Sequence, residues 1–445
     1  MQMNPGPFPM RFLLLAMFAM QIPLGALDAL AQQAGPAEPA AAEQPGPGFE
    51  DGAFRGPDDI PNIIEDSSDP KDARIKEGIA PGFFERWAAF KTDLYDASGL
   101  KFSLAYTYVG QIATSKNQTQ TGSGGQGEFD FTWELFGRTG EGQHGKIGGK
   151  LESRHTVFNP TAPQFVAPKA GSIWSGAIGY GELDIALSQL WYEHEFIRDR
   201  VLVRVGKIAP FTVFDYYKYK SPRVAFLGQP QNFNPTIPFP PSALGIGGGG
   251  RLTNGTYLAA GVFDANGVPV RPGFDTLFET GELFSIAEIG WAPDFVFGLE
   301  PGQDFRPGDD DYHVTVWHAD ARTSINRPEG WGFTLSAEKG FGNIVPYARY
   351  GYSNGGATAL KHFASFGAGF EGVFGYDDDV IGVGLSWGDP WNSTLRQQFA
   401  AEAFYRMQFT PQFALTPDVQ IILDPSNDPA SDVLGVFSIR GRLAI

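Results

Sequence analysis

Residues 100–108 read Leu100-Lys101-Phe102-Ser103-Leu104-Ala105-Tyr106-Thr107-Tyr108, a large apolar or aromatic side chain alternating with a small or polar one. Neighbouring side chains on a strand point to opposite faces, so this stretch makes a strand with one apolar side and one wet side. Just upstream the period is that of a helix. Phe83, Trp87, Phe90 and Leu94 recur at three- and four-residue spacing, Pro81 stands where a missing N–H costs nothing, and Gly99 follows as a stop. That pattern predicts a short amphipathic helix over 81–98.

The two-residue period returns down the chain. Phe129, Phe131, Trp133 and Leu135 alternate with Asp130, Thr132 and Glu134, and Ile381, Val383, Leu385 and Trp387 with Gly382, Gly384 and Ser386. Leu415, Val419, Ile421 and Leu423 oppose Thr416, Asp418, Gln420 and Asp424. A soluble sandwich alternates too, so the pattern alone does not choose. Charge on the polar faces does: Lys150, Glu152 and Arg154 share one, Glu402 and Arg406 another. A water-filled lumen solvates such groups, whereas the packed middle of a sandwich does not.

The connections agree with a barrel. Strands start near residues 100, 127, 146, 184, 200, 243, 256, 282, 312, 330, 344, 362, 380, 397, 414 and 433, about sixteen and so an even number. Long links at 111–126, 159–183, 209–242 and 265–281 alternate with tight ones at 138–145, 198–199 and Thr253-Asn254-Gly255. Later links at 340–343, 375–379 and 410–413 are tight as well, and 291–311 alone breaks the alternation. In the last segment Phe437, Ile439, Leu443 and Ile445 oppose Ser438, Arg440 and Arg442, as a closing strand should. With 14% aromatics, 57 glycines and no long apolar helix after residue 31, the expected fold is all-β. It is a transmembrane antiparallel β-barrel over 99–445, with short periplasmic turns, longer outer loops and the helix 81–98 packed at the periplasmic mouth.

The N-terminus predicts export. Arg11 precedes an apolar run at 12–20, and Ala29-Leu30-Ala31 gives the small–x–small cleavage pattern, so residues 1–31 read as a signal peptide. Residues 32–80 are rich in Ala, Pro, Gly, Glu and Asp without apolar period, and read as a flexible periplasmic segment.

Several kinds of chemistry are excluded. The formal charge of −17 disfavours a nucleic-acid partner. The absence of cysteine removes disulfides, thiol nucleophiles and Cys-based metal sites. Glu193-His194-Glu195 resembles a metal or acid–base cluster, but on a strand the two Glu face one way and His194 the other. His313 and His318 fall on opposite faces of one strand. No catalytic residues, metal or cofactor are expected, and an outer-membrane hydrolase finds no Ser–His–acid constellation.

The third long loop, 209–242, is dense in Phe211, Phe214, Tyr216, Tyr217, Tyr219, Phe226, Phe233 and Phe239, with Asp215, Lys218, Lys220 and Arg223 among them. Pro222, Pro230, Pro235, Pro238, Pro240 and Pro241 stiffen it. A barrel this large needs something to narrow it, and this loop folded inward is the expected constriction. Candidate wall residues facing the lumen are Glu134, Lys150, Glu152, Arg154, Arg349, Glu402 and Arg406. The Gly-rich run 246–250 lacks a phosphate-loop Lys and reads as strand kept small where a loop folds close inside the barrel.

From about Gly82 to Ile445 the chain resembles the carbohydrate-selective outer-membrane porins (OprB-type). The resemblance lies in Asp378-Asp379-Val380-Ile381-Gly382-Val383-Gly384-Leu385-Ser386-Trp387, in Glu402-Ala403-Phe404-Tyr405-Arg406-Met407-Gln408-Phe409-Thr410-Pro411, and in Leu415-Thr416-Pro417-Asp418-Val419-Gln420. Gln189-Leu190-Trp191, Val205-Gly206-Lys207 and Val262-Phe263-Asp264-Ala265-Asn266 are similar to family segments in the same order. Ending on Ile445 departs from the aromatic with which such barrels commonly close. The resemblance implies a sixteen-stranded channel for passive entry of small sugars, often a homotrimer, standing in outer-membrane lipid and lipopolysaccharide. Aromatic rings would stack on sugar C–H faces while Arg, Lys and Asp bond the hydroxyls. A general non-selective porin, and a barrel serving as surface anchor or adhesin, are the alternative readings.

Overall fold

In the computed structural model the alternating segments pair edge to edge and close on themselves. Residues 54, 56–76, 80–138, 143–197, 201–252, 255–292 and 310–445 are described; the expected signal peptide at 1–31 and the turn Thr253-Asn254 lie outside them. The strands are β1 (Leu100–Ser115), β2 (Thr119–Phe136), β3 (His144–Thr156), β4 (Leu183–Ile197), β5 (Val201–Ile208), β6 (Ala243–Arg251), β7 (Thr256–Asp264) and β8 (Leu283–Trp291). They continue with β9 (Asp311–Ala319), β10 (Gly330–Glu338), β11 (Ile344–Asn354), β12 (Leu360–Glu371), β13 (Val380–Pro390), β14 (Gln398–Thr410), β15 (Phe413–Leu423) and β16 (Val433–Ala444). Each pairs with its sequence neighbours, and β1 pairs antiparallel with β16 from Ala105↔Ala444 to Ser115↔Leu434, so the sheet has no open edge. Ile445 adds a reciprocal backbone pair with Leu104. The described residues thus form a closed barrel of sixteen strands.

Side-chain exposure follows the alternation. Phe437, Ile439 and Leu443 of β16 are exposed on the outside, while Ser438, Arg440 and Arg442 are buried inside. On β4 Glu193 and Glu195 are buried within, and His194 lies between Phe136 and Phe196 on the other face.

Two expectations need correction. The first outer link is not 111–126: β1 and β2 stay in register from Gln111↔Gly122 to Thr114↔Thr119, leaving a turn at 116–118. Above the membrane a ribbon needs no apolar face, so its polar, Gly-rich sequence reads as loop. Gly122 is required there, because a Cβ would stand 2.5 Å from the Thr161 carbonyl oxygen of the next outer loop. The long link at 291–311 stands as read, since β8 and β9 pair directly from Phe284↔Ala319 to Trp291↔Tyr312.

The second correction concerns 32–80. Part of that segment is ordered inside the lumen: a helix α1 (Ile60–Ser68), begun by Pro61 and burying Ile60, Asn62, Ile63 and Ile64. Its local composition hides this, because the partners that fix it lie far away in sequence. A second helix, α2 (Pro81–Ser98), ends on Gly99 with φ 77°, the left-handed stop that glycine accommodates. Trp87 and Phe90 pack on Phe102 of β1, at 5.6 and 6.4 Å between ring centroids, while Phe83 remains half exposed.

Candidate functional site

The lumen is narrowed by the loop 209–242, which runs as a belt along the inner wall. At its start the Asp215 carboxylate accepts from Arg349 Nη2 and Thr334 Oγ1, both at 2.7 Å, and its N–H donates to Glu288 at 2.7 Å. Further on, Lys218 pairs with Glu371 at 2.9 Å, and the Tyr219 hydroxyl donates to the same carboxylate at 3.0 Å. Tyr217 packs against Tyr347 at 4.6 Å. Arg440 donates to the Pro222 and Ala225 carbonyls, both at 2.8 Å, and Glu402 accepts from the N–H groups of Leu227 and Gly228 at 2.7 and 2.8 Å. Charged wall residues satisfy the loop's buried backbone, which is why a loop can lie here at all.

Wall glycines make room for it. A Cβ on Gly369 would fall 1.9 Å from the Tyr219 ring, so this strand accepts the loop because a side chain is missing.

The expected site residues therefore divide. Arg349, Glu402, Asp215, Tyr216, Tyr217, Lys218, Tyr219 and Lys220 are spent between loop and wall. Tyr216 lies 6.1 Å from the His313 ring, and Lys220 donates to the Phe214 and Asp215 carbonyls. Burial lowers the Lys220 ammonium to about 8, against the opposing pull of Asp215. Lys150, Glu152, Arg154, Arg223 and Phe233 instead line an outer cavity of about 500 Å³. Glu134 lies at an inner cavity of about 570 Å³, accepting from Tyr95 at 3.0 Å. Arg406 borders a narrow space of about 40 Å³ between them.

The floor of the outer cavity is a charge network. Glu128 stands 2.5 Å from Lys150, 3.1 Å from Arg442 and 3.2 Å from Arg223; Asp130 meets Lys150 at 3.2 Å; Arg154 and Gln126 both bond Glu152. Phe211 and Phe233, edge-to-face at 5.1 Å, add aromatic surface beside it, while Trp174 borders the cavity almost fully buried. Sequence reading missed Gln126, Glu128, Trp174 and Asp58. Glu128 carried a usable signal, sharing parity with Asp130 and Glu134. Trp174 stands in a loop and Asp58 in a stretch with no period.

This arrangement offers rings for apolar ring faces and a rim of fixed donors and acceptors for hydroxyls. A family model described as "Carbohydrate-selective porin, OprB family" matches residues 90–440. Porin AaxA of Chlamydia muridarum is 22% identical over 268 residues, 58% of this chain and 55% of that protein, so the chain spans about half the length of this curated relative. Among solved structures, the high-pH structure of Pseudomonas putida OprB superposes with a TM-score of 0.62 at 15% identity, covering 81% of this chain and 97% of that one. The low-pH structure of the same protein gives 0.49 at 14% identity, with 84% and 99% covered.

Proposed function

Because the chain belongs to the carbohydrate-selective porins of the OprB family, outer-membrane channels and not enzymes, we propose that it admits small sugars by passive diffusion. The observation that carries this reading is the outer cavity, where Phe211 and Phe233 stand beside Lys150, Glu152, Arg154 and Arg223. Stacking planes next to paired charges suit a solute with apolar ring faces and an uncharged polar rim, and suit a compact ion less. Diffusion needs neither an energy source nor a bound cofactor.

Purified protein in a planar bilayer is expected to give steady ionic conductance that glucose or a related hexose partly blocks in a dose-dependent way. Conductance indifferent to every sugar tested reduces the protein to a general diffusion porin. Absence of conductance together with binding of cells or surfaces through the outer loops favours the anchor reading.

Export by a signal peptide cleaved after Ala31, and assembly as a homotrimer in lipid and lipopolysaccharide, complete the reading. The apolar parity of the strands supports the lipid contact, with Leu258, Ile289, Val316 and Phe437 all exposed.

A further inference from the structure

We propose that Phe54 and residues 56–76 form a plug resident in the lumen, closed to sugars as it stands, and that its displacement opens the channel. This rests on the channel reading above, but not on which solute the channel prefers.

The segment occupies a built site. The Asp59 carboxylate receives both terminal nitrogens of Arg204 at 2.8 Å, and both side chains are fully buried. Arg204 is held in turn by Glu193 at 2.7 Å and by the Trp191 ring at 3.8 Å. Asp58 pairs with Arg223, tying the segment to the loop 209–242. Phe54 is buried against Phe214 at 5.2 Å, over a wall position kept open by glycine: a Cβ on Gly247 would stand 2.6 Å from the Phe54 ring. Gly56 lies so near that loop that a Cβ would fall 2.4 Å from the Thr212 carbonyl oxygen. At the other end Arg74 pairs with Asp379 at 2.6 Å, and the Arg74 and Ile75 amides donate to the Gln408 and Phe409 carbonyls. An ionic lock buried this deeply is costly to form for a passive leader, because each charge gives up its water.

The segment also lies on the path. Asp58 lines the outer cavity of about 500 Å³, while Pro61, Ile64 and Glu65 line the inner one of about 570 Å³, and the two share no lining residue. Beside α1 lies a space of about 40 Å³, which shares Arg223 with the outer cavity and Ser67, Pro411 and Gln412 with the inner. At roughly 10–15 Å³ for each water, that space holds about three waters. A hexose needs several times as much. The plug precedes the residues 90–440 that the family model matches, so the matched barrel does not include it.

Two variants test this in planar bilayers in potassium chloride: the double substitution Asp58→Ala/Asp59→Ala in the full chain, and a deletion of residues 32–76 that leaves the family-matched barrel complete. Folding is checked by the heat-dependent shift in gel mobility of a closed barrel. Both are expected to raise single-channel conductance several-fold and to speed sugar entry into liposomes. If one does not fold, the other is read alone. A folded variant that keeps the conductance of the unaltered chain overturns the plug. Conductance that rises while sugars leave it unaffected supports the plug and counts against the sugar reading, so the two failures are distinct.

Discussion

At the scale of single residues, the buried charges of this barrel act mainly by holding chain in place. Arg349 and Asp215 are both fully buried and 2.7 Å apart. Replacing Arg349 by Ala strands a carboxylate away from water, a loss of about 3–5 kcal/mol. The expected result of Arg349→Ala is a folded barrel with a loosened loop, seen as larger and noisier conductance with weaker block by sugar; quiet channels of unchanged size would show that the pair does not hold the loop. A second residue sets a pH dependence. Burial, reinforced by Asp66 and Asp378 and opposed by Lys71, pushes the Asp69 carboxyl up to about 6, while Asp66, paired with Lys71, sits at about 2 and stays ionised. A carboxyl whose value is raised on docking binds its proton more tightly in the docked state, so docking is weakest above pH 6 and strengthens as pH falls towards 4. Conductance should therefore fall between pH 7.5 and 5, and Asp69→Asn should flatten that slope. An unchanged slope in the variant would remove Asp69 from the account.

Elements differ in how far sequence alone reveals them. Strands such as β1 and β16 are legible because their alternation is local and lipid enforces it, and the inward course of 209–242 was readable from its aromatics and prolines. The share of that loop that faces solute was not, since Lys218 meets Glu371 and Asp215 meets Arg349 across more than a hundred residues of chain. The segment around α1 was illegible for the same reason: Asp59 looks like any acidic linker residue until Arg204 is placed beside it. Gly247 held a partial clue, as a wall position left small, though what lies over it is Phe54 and not the loop. Enlarging a wall glycine tests how loop and wall fit. Gly369→Ala should push Tyr219 off Glu371, lower the midpoint of thermal unfolding by a few degrees and alter sugar block, as followed by gel mobility and bilayer recording. A variant matching the parent in both would mean that the loop yields without cost.

For the whole molecule, the decisive property is that one closed sheet separates lipid from an aqueous path, with an outer vestibule of about 500 Å³ that reaches Asp58 and an inner one of about 570 Å³ bordered by α1. If the outside also packs against copies of itself, mild cross-linking of the detergent-solubilised protein should give a trimer band. A lone monomer at all cross-linker concentrations would confine the account to one barrel. The most direct test of sugar passage is liposome swelling, comparing a hexose with a zwitterionic amino acid of similar size in the unaltered protein and in the plug-deleted one. The account predicts that almost no sugar enters through the unaltered protein, and that once the plug is removed the sugar enters faster than the amino acid. Equal rates for the two solutes in the plug-deleted protein would contradict it.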